Sequence, residues 1–115
     1  MHQNDIKRMR MEIARTIKEV FGNRIKSLEI YDIVEVPSHW AFKIKFIVYD
    51  YFVVLFNYEL DIIGFSIELG SGKYVSLSQE KHCYSNTDMA TFINEIKEEL
   101  ELRIPDKYLI ARGWM

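Results

Sequence analysis

The chain has 115 residues, a formal net charge of −2 and a single cysteine. That length suits one domain and is short for two. The charge supplies no general attraction to nucleic acid or to acidic membranes, and a lone cysteine excludes an intramolecular disulfide and fits a reducing, cytoplasmic compartment. Hydrophobic residues make up 49% of the chain, enough for a core without metal or disulfide. The opening stretch MHQNDIKRMRMEIARTIKEV lacks the apolar segment of a secretory signal. The densest apolar run, FIVYDYFVVLF, has 11 residues and contains Asp50, too short to cross a bilayer as a helix.

In chain order, Ile6, Met9, Ile13, Ile17, Val20 and Phe21 recur at helical spacing and predict a helix over 5–21. Asp5 is the expected N-cap and Gly22 the expected stop. Two strands follow around the turn signal Pro37-Ser38-His39. In the first, Leu28, Ile30, Val34 and Val36 alternate with Glu29, Tyr31 and Glu35. In the second, Phe42, Ile44, Phe46 and Val48 alternate with Lys43, Lys45 and Tyr49. Such alternation describes an antiparallel sheet with one face on the core and one in water. Asp32 falls on the apolar side of the first strand, which predicts a bulge or a strand end there; a buried carboxylate is the alternative.

YFVVLFNY is apolar on both sides, the pattern of a central or interface strand. IIGFSIEL and KYVSLS flank Gly70-Ser71-Gly72 and predict a hairpin that sets Phe65 and Ile67 beside Leu77 and Val75. A second helix begins near 86–88, carries Met89, Phe92, Ile93, Ile96 and Leu100 as its stripe, and ends before Pro105. The tail PDKYLIARGWM predicts a short helix with Pro105 at its first position and Gly113 as its stop, its Tyr108 and Trp114 anchoring the terminus. The expected fold is α+β: an N-terminal helix, a five-stranded, mainly antiparallel sheet, a C-terminal helix and a short helical tail, with the helices on one sheet face.

The chemistry-bearing residues are sparse. His82 and Cys83 are adjacent, and neighbours in extended chain point to opposite sides, so they do not form a nucleophile–base pair. His39 or His2 would have to supply a base. A metal site needs further ligands at compatible spacing, and none accompanies this pair. GSGKY at 70–74 fails as a phosphate-binding loop: Ile67 stands where the first glycine belongs, Tyr74 where Ser or Thr belongs, and a strand follows instead of a helix. Asp50, Glu59 and Asp61 lie near strand ends, where solvated turn residues are the ordinary reading. No catalytic residue, metal or cofactor is expected.

Two surfaces remain. Tyr31, Lys43, Lys45, Tyr49 and Tyr74, among Glu29, Glu35, Glu68 and several serines, are expected on the open sheet face, a mixture found in protein–protein contacts. The alternative is the basic side of the first helix, with Lys7, Arg15 and Lys18 and with Arg8 nearby. Residues 1–26 carry seven basic and three acidic groups, while 80–103 carry three and six. An acidic chain without a binding motif argues against nucleic acid. The expected function is therefore a non-catalytic protein-binding module, such as a stoichiometric inhibitor, an immunity-type antitoxin or a phage-borne accessory protein. The alternatives are a small-molecule-binding protein or small enzyme with a pocket between sheet and helices, and a homo-oligomer, for example a homodimer, joined through the sheet face.

Overall fold

Apolar residues at every second position put one side of each strand on a common plane, and the helices close over that side. The computed structural model describes residues 3–78 and 81–115. Helix α1 spans Gln3–Phe21, followed by strands β1 Ile25–Val36, β2 His39–Val48, β3 Phe52–Glu59, β4 Ile62–Gly70, β5 Lys73–Ser76 and β6 His82–Cys83, then helices α2 Met89–Leu102 and α3 Asp106–Ala111. The α+β expectation holds. The strands form an antiparallel meander in the order β1-β2-β3-β4-β5. The short β6 is a sixth strand where a connection was expected, and it pairs with the first residues of β4.

Positive backbone angles shape the turns. Tyr49-Asp50 and Leu60-Asp61 have φ of 60° and 50°, and of 48° and 70°. Two successive left-handed residues match the right-handed twist of a hairpin. Neither pair contains the glycine by which such turns are read from sequence, whereas Ser71-Gly72 does. Gly22, at φ 57°, ends α1 and turns the chain toward β1. Asp5 lies in the first turn of α1 rather than capping it, and Pro105 caps α3 from outside its first turn.

The core lies between the sheet and the two longer helices. Ile6, Met9, Ile13, Ile17 and Phe21 of α1 and Phe92, Ile93, Ile96 and Leu100 of α2 meet Phe42, Ile44, Phe46, Val54, Phe56, Phe65 and Ile67 in one apolar cluster. Phe46 is central to it, with ring centroids 5.6 Å from Phe21 and 6.4 Å from Phe65. Ile104, Leu109 and Trp114 extend the cluster under the tail.

Phe46→Ala should cost about 3 to 5 kcal/mol, since the ring is fully buried and rigid neighbours on both sides would leave a cavity. Urea unfolding checks this. A midpoint shift no greater than that of an exposed control such as Lys73→Ala would contradict the packing.

Candidate functional site

The open face is best followed in rows across the sheet, because paired residues on neighbouring strands share a side. One row runs Tyr31, Lys43, Asn57 and Gly64. A second runs Glu29, Lys45, Leu55, Ser66 and Ser76. A third runs Ile47, Val53, Glu68 and Tyr74. The structure thus brings Tyr31, Lys43, Lys45 and Tyr74 onto one face, as expected. The Tyr31 hydroxyl titrates above its ordinary value: burial is the first cause, and Tyr74, Asp32 and Glu68 add to it against Lys43.

Two lysines on this face are internally paired. Lys45 reaches Glu68 at 3.6 Å, spanning β3, and Lys43 lies 3.4 Å from Asp32. Beneath them Leu55 is only 6% exposed although it points away from the helices. Beside this floor lies a hollow of about 480 Å³ lined by Asn57, Glu59, Leu60, Ile62, Gly64 and Lys81. Gly64 keeps it open: a Cβ there would meet only Ser78 Oγ, at 3.9 Å. A smaller hollow of about 240 Å³ adjoins it at Asp32, Val34, His39, Lys43 and Glu59. Gly64 lies on the open face as the β4–β5 pairing predicts, whereas Leu55 and Leu60 were not expected at the site. The two-sided apolarity of YFVVLFNY signals Leu55. A lone glycine inside the β4 pattern signals a close approach or a gap.

Four expected positions are corrected, among them Val36, which pairs with His39 and stands on the open side half exposed instead of on the core side. Tyr49 is not on the open face. It is fully buried because φ 60° turns it out of the β2 alternation and under the tail. Its hydroxyl donates to Glu101, and its ring meets Trp114 edge-on at 5.4 Å. Burial first, then the Glu101 carboxylate, push that hydroxyl far above its ordinary range. Glu35 and Val34 exchange sides. Tyr31 pairs with Lys43 but Val34 pairs with Ala41, so β1 carries one extra residue in between, with Asp32 at φ 51°. This bulge reverses the phase, brings Glu35 onto the helix side and sets it 2.5 Å from Arg10 of α1. A second bulge, with Ser27 at φ 55°, lies between Lys26 and Glu29.

The scattered carboxylates have structural partners. Asp50 holds Lys26 at 2.7 Å and Arg112. Asp61 accepts from the Ser85 hydroxyl at 2.6 Å, and Glu59 meets His39 at 2.7 Å. Tyr108 donates to the Tyr49 carbonyl at 2.8 Å, so the tail closes on the β2–β3 turn. His82 and Cys83 point to opposite sides of β6. His82 stacks on Phe92 at 4.5 Å, while Cys83 shares the row of Ala41, Glu59 and Ile62. His39 sits on β2, three strand spacings or about 14 Å from β6, and does not reach the thiol. His2 lies outside the described residues. Ser71-Gly72 form the tip of the β4–β5 hairpin, not a phosphate loop. On α1, Lys7, Arg8, Arg15 and Lys18 are exposed, and Arg15 approaches Glu19 at 3.8 Å. A groove of about 490 Å³ runs between the β5 edge and α2, lined by Ser76, Ser78, His82, Phe92, Glu95 and Arg103 among others. No cluster of three metal-ligating side chains occurs among the described residues, and no described helix is long and apolar enough to cross a membrane.

Comparison of the chain with protein-family models, with curated proteins and with solved structures finds no match.

Two predictions follow from these contacts. The Asp50 carboxyl titrates below its ordinary 3.8, held down first by Lys26 and then, against burial, by Arg112. At Glu101 burial works upward, but the Tyr49 hydroxyl, Lys97 and Arg24 outweigh it and leave the group below 4.5. As pH falls, the unfolded chain takes up these protons first. The stabilisation is therefore complete above about pH 4.5 and is lost as pH falls through the lower folded values. The double variant Asp50→Asn, Glu101→Gln should be less stable than the native chain at neutral pH, with the gap in urea midpoint narrowing toward about pH 3; a gap independent of pH would contradict the assignment. Cys83→Ser, with no metal-ligand set around the thiol among the described residues, should shift stability by less than about 1 kcal/mol and leave binding intact. Loss of a measured activity in the folded variant would contradict it.

Proposed function

We propose that this chain is a non-catalytic protein-binding module that acts by occupying its partner, as stoichiometric inhibitors do, and that the partner sits on the open sheet face. The observation that carries this reading is the hollow at Gly64, in the same cross-strand row as Tyr31 and Lys43. Apolar floor residues and tyrosines beside a gap are the surroundings in which interface anchor residues concentrate. A partner side chain entering the gap would meet Leu60 and Ile62 at its walls, with Asn57, Glu59 and Lys81 at its rim. Lys43 and Lys45 already hold carboxylates of the same chain, so the partner need not supply their counter-charges, and affinity should depend only weakly on salt.

Gly64 allows binding and folding to be tested separately. Gly64→Val has room at its Cβ and replaces a residue that weakens strand interiors by about 0.5 to 1 kcal/mol, so the urea midpoint should hold or rise. The same change places a branched side chain in the hollow, in space an entering partner group would use. With the partner obtained by co-purification from the native host, Gly64→Val and Tyr31→Ala, Tyr74→Ala should each weaken binding by roughly 30-fold, the scale of an anchor residue. Binding by both folded variants at native affinity would remove the sheet face as the site.

A further inference from the structure

The helix layer stops short of the β5 margin of the sheet. Val75 pairs with Ile67, which places it on the helix side, yet it is 39% exposed. Leu69 is next in the β4 series Ile63, Phe65 and Ile67, and it is 60% exposed although those three are buried. Between this margin and α2 lies the groove of about 490 Å³, with Leu77, Phe92 and Ile96 at its base. A hollow of about 200 Å³ continues it past Thr91 toward Asp88, sharing His82, Phe92 and Glu95. The groove therefore follows α2, which is about 21 Å long at 14 residues.

α2 runs alongside β4 and β5 rather than across them. Near its start the Phe92 ring lies 5.7 Å from Phe65 of β4. Near its end Glu101 accepts from Tyr49, at the end of the sheet where the β4–β5 hairpin also turns. The β5 side of the groove is a strand edge. Leu77 donates its N–H to the Phe65 carbonyl at 2.9 Å, so Leu77, Val75 and Lys73 turn their backbone groups toward β4. Tyr74 and Ser76 turn theirs outward, and no described strand lies beyond β5. The α2 side is acidic. Exposed Glu95 and Glu98 form no ion pair among the described residues, and Glu99 is held by Arg103 at 3.0 Å. Arg103 is the one lysine or arginine among the described residues that line the groove.

We propose that β5 and α2 receive an extended, basic segment of a partner protein. The segment adds to β5 as a further strand and sets alternate lysine or arginine side chains against Glu95, Glu98 and Glu99. Extended chain satisfies the outward N–H and C=O groups of Tyr74 and Ser76, which a helix cannot do. Its side chains recur on one side about every 6.7 Å, close to the turn of about 5.4 Å that separates Glu95 from Glu98 and Glu99. About six residues span the groove. The cations of the segment meet carboxylates that lack a partner, so affinity falls as salt rises. This site is separate from the open sheet face and does not rest on the reading given for it.

The probe is the hexapeptide Lys-Thr-Lys-Thr-Lys-Thr, capped at both ends, titrated into the isotope-labelled full chain while amide chemical shifts are followed. Saturable shifts should appear at Tyr74, Ser76 and along α2, and Glu-Thr-Glu-Thr-Glu-Thr should produce none. Glu95→Lys with Glu98→Lys should weaken binding by about tenfold. Two further peptides, N-methylated at the lysines or at the threonines, separate strand addition from charge alone. One set of N–H groups faces β5 and the other faces solvent, so one peptide should lose at least about threefold in affinity and the other should not. Both substituted glutamates are exposed, and circular dichroism checks the fold; if the variant does not fold, the peptide series on the native chain decides. Absence of saturable shifts overturns the proposal, as do shifts confined to α1 or the open sheet face. So does a folded variant that binds as the native chain does, or equal affinity of the two methylated peptides.

Discussion

Burial of one face of the meander against α1 and α2 is the interaction on which the rest of this structure depends. The sheet is a run of adjacent antiparallel strands joined by tight turns, so its pairing is local and its register follows from where each apolar residue must point. Phe42, Ile44, Phe46 and Val48 fix β2, and the neighbouring strands take their phase from it through direct pairing. A one-residue slip would carry this whole set to water. The other face is left without an internal cover, and the binding reading rests on that face.

β1 shows how the constraint acts where a sequence does not comply. A strand of 12 residues at the sheet edge is long and would offer other chains a template for pairing. Its two bulges, with Ser27 and Asp32 left-handed, break that regularity. Their second effect is to rotate Glu35 toward α1, where Arg10 meets it. An edge-strand correction thus becomes a tie between the first helix and the sheet, and it moves Val34 to the open face beside the smaller hollow.

The β2–β3 turn plays the corresponding part at the other end. The left-handed conformation of Tyr49 and Asp50 sends one side chain inward and the other outward. Tyr49 meets Glu101 and Trp114 inside, and Asp50 collects Lys26 and Arg112 at the surface. The Arg112 guanidinium also lies 5.0 Å from the Trp114 ring centre. β1, the turn, the end of α2 and the tail meet there, far in sequence but joined through two adjacent residues.

The amino-acid sequence by itself determined the order of the elements apart from β6, the apolar face of β2, the pairing of β4 with β5 and the stripes of α1 and α2. Each of these is a local periodicity, fixed by the geometry of one strand or one helix. It also placed Tyr31, Lys43, Lys45 and Tyr74 on a common face, because alternation carries through an uninterrupted strand. Only the tertiary structure decided what depends on a change of phase or on an absent atom. The Asp32 bulge reversed Glu35 and Val34. The turn at Tyr49 withdrew that residue into the core, since no glycine announced a left-handed pair there. The hollow at Gly64 exists because neighbouring chain does not fill the space a side chain would take.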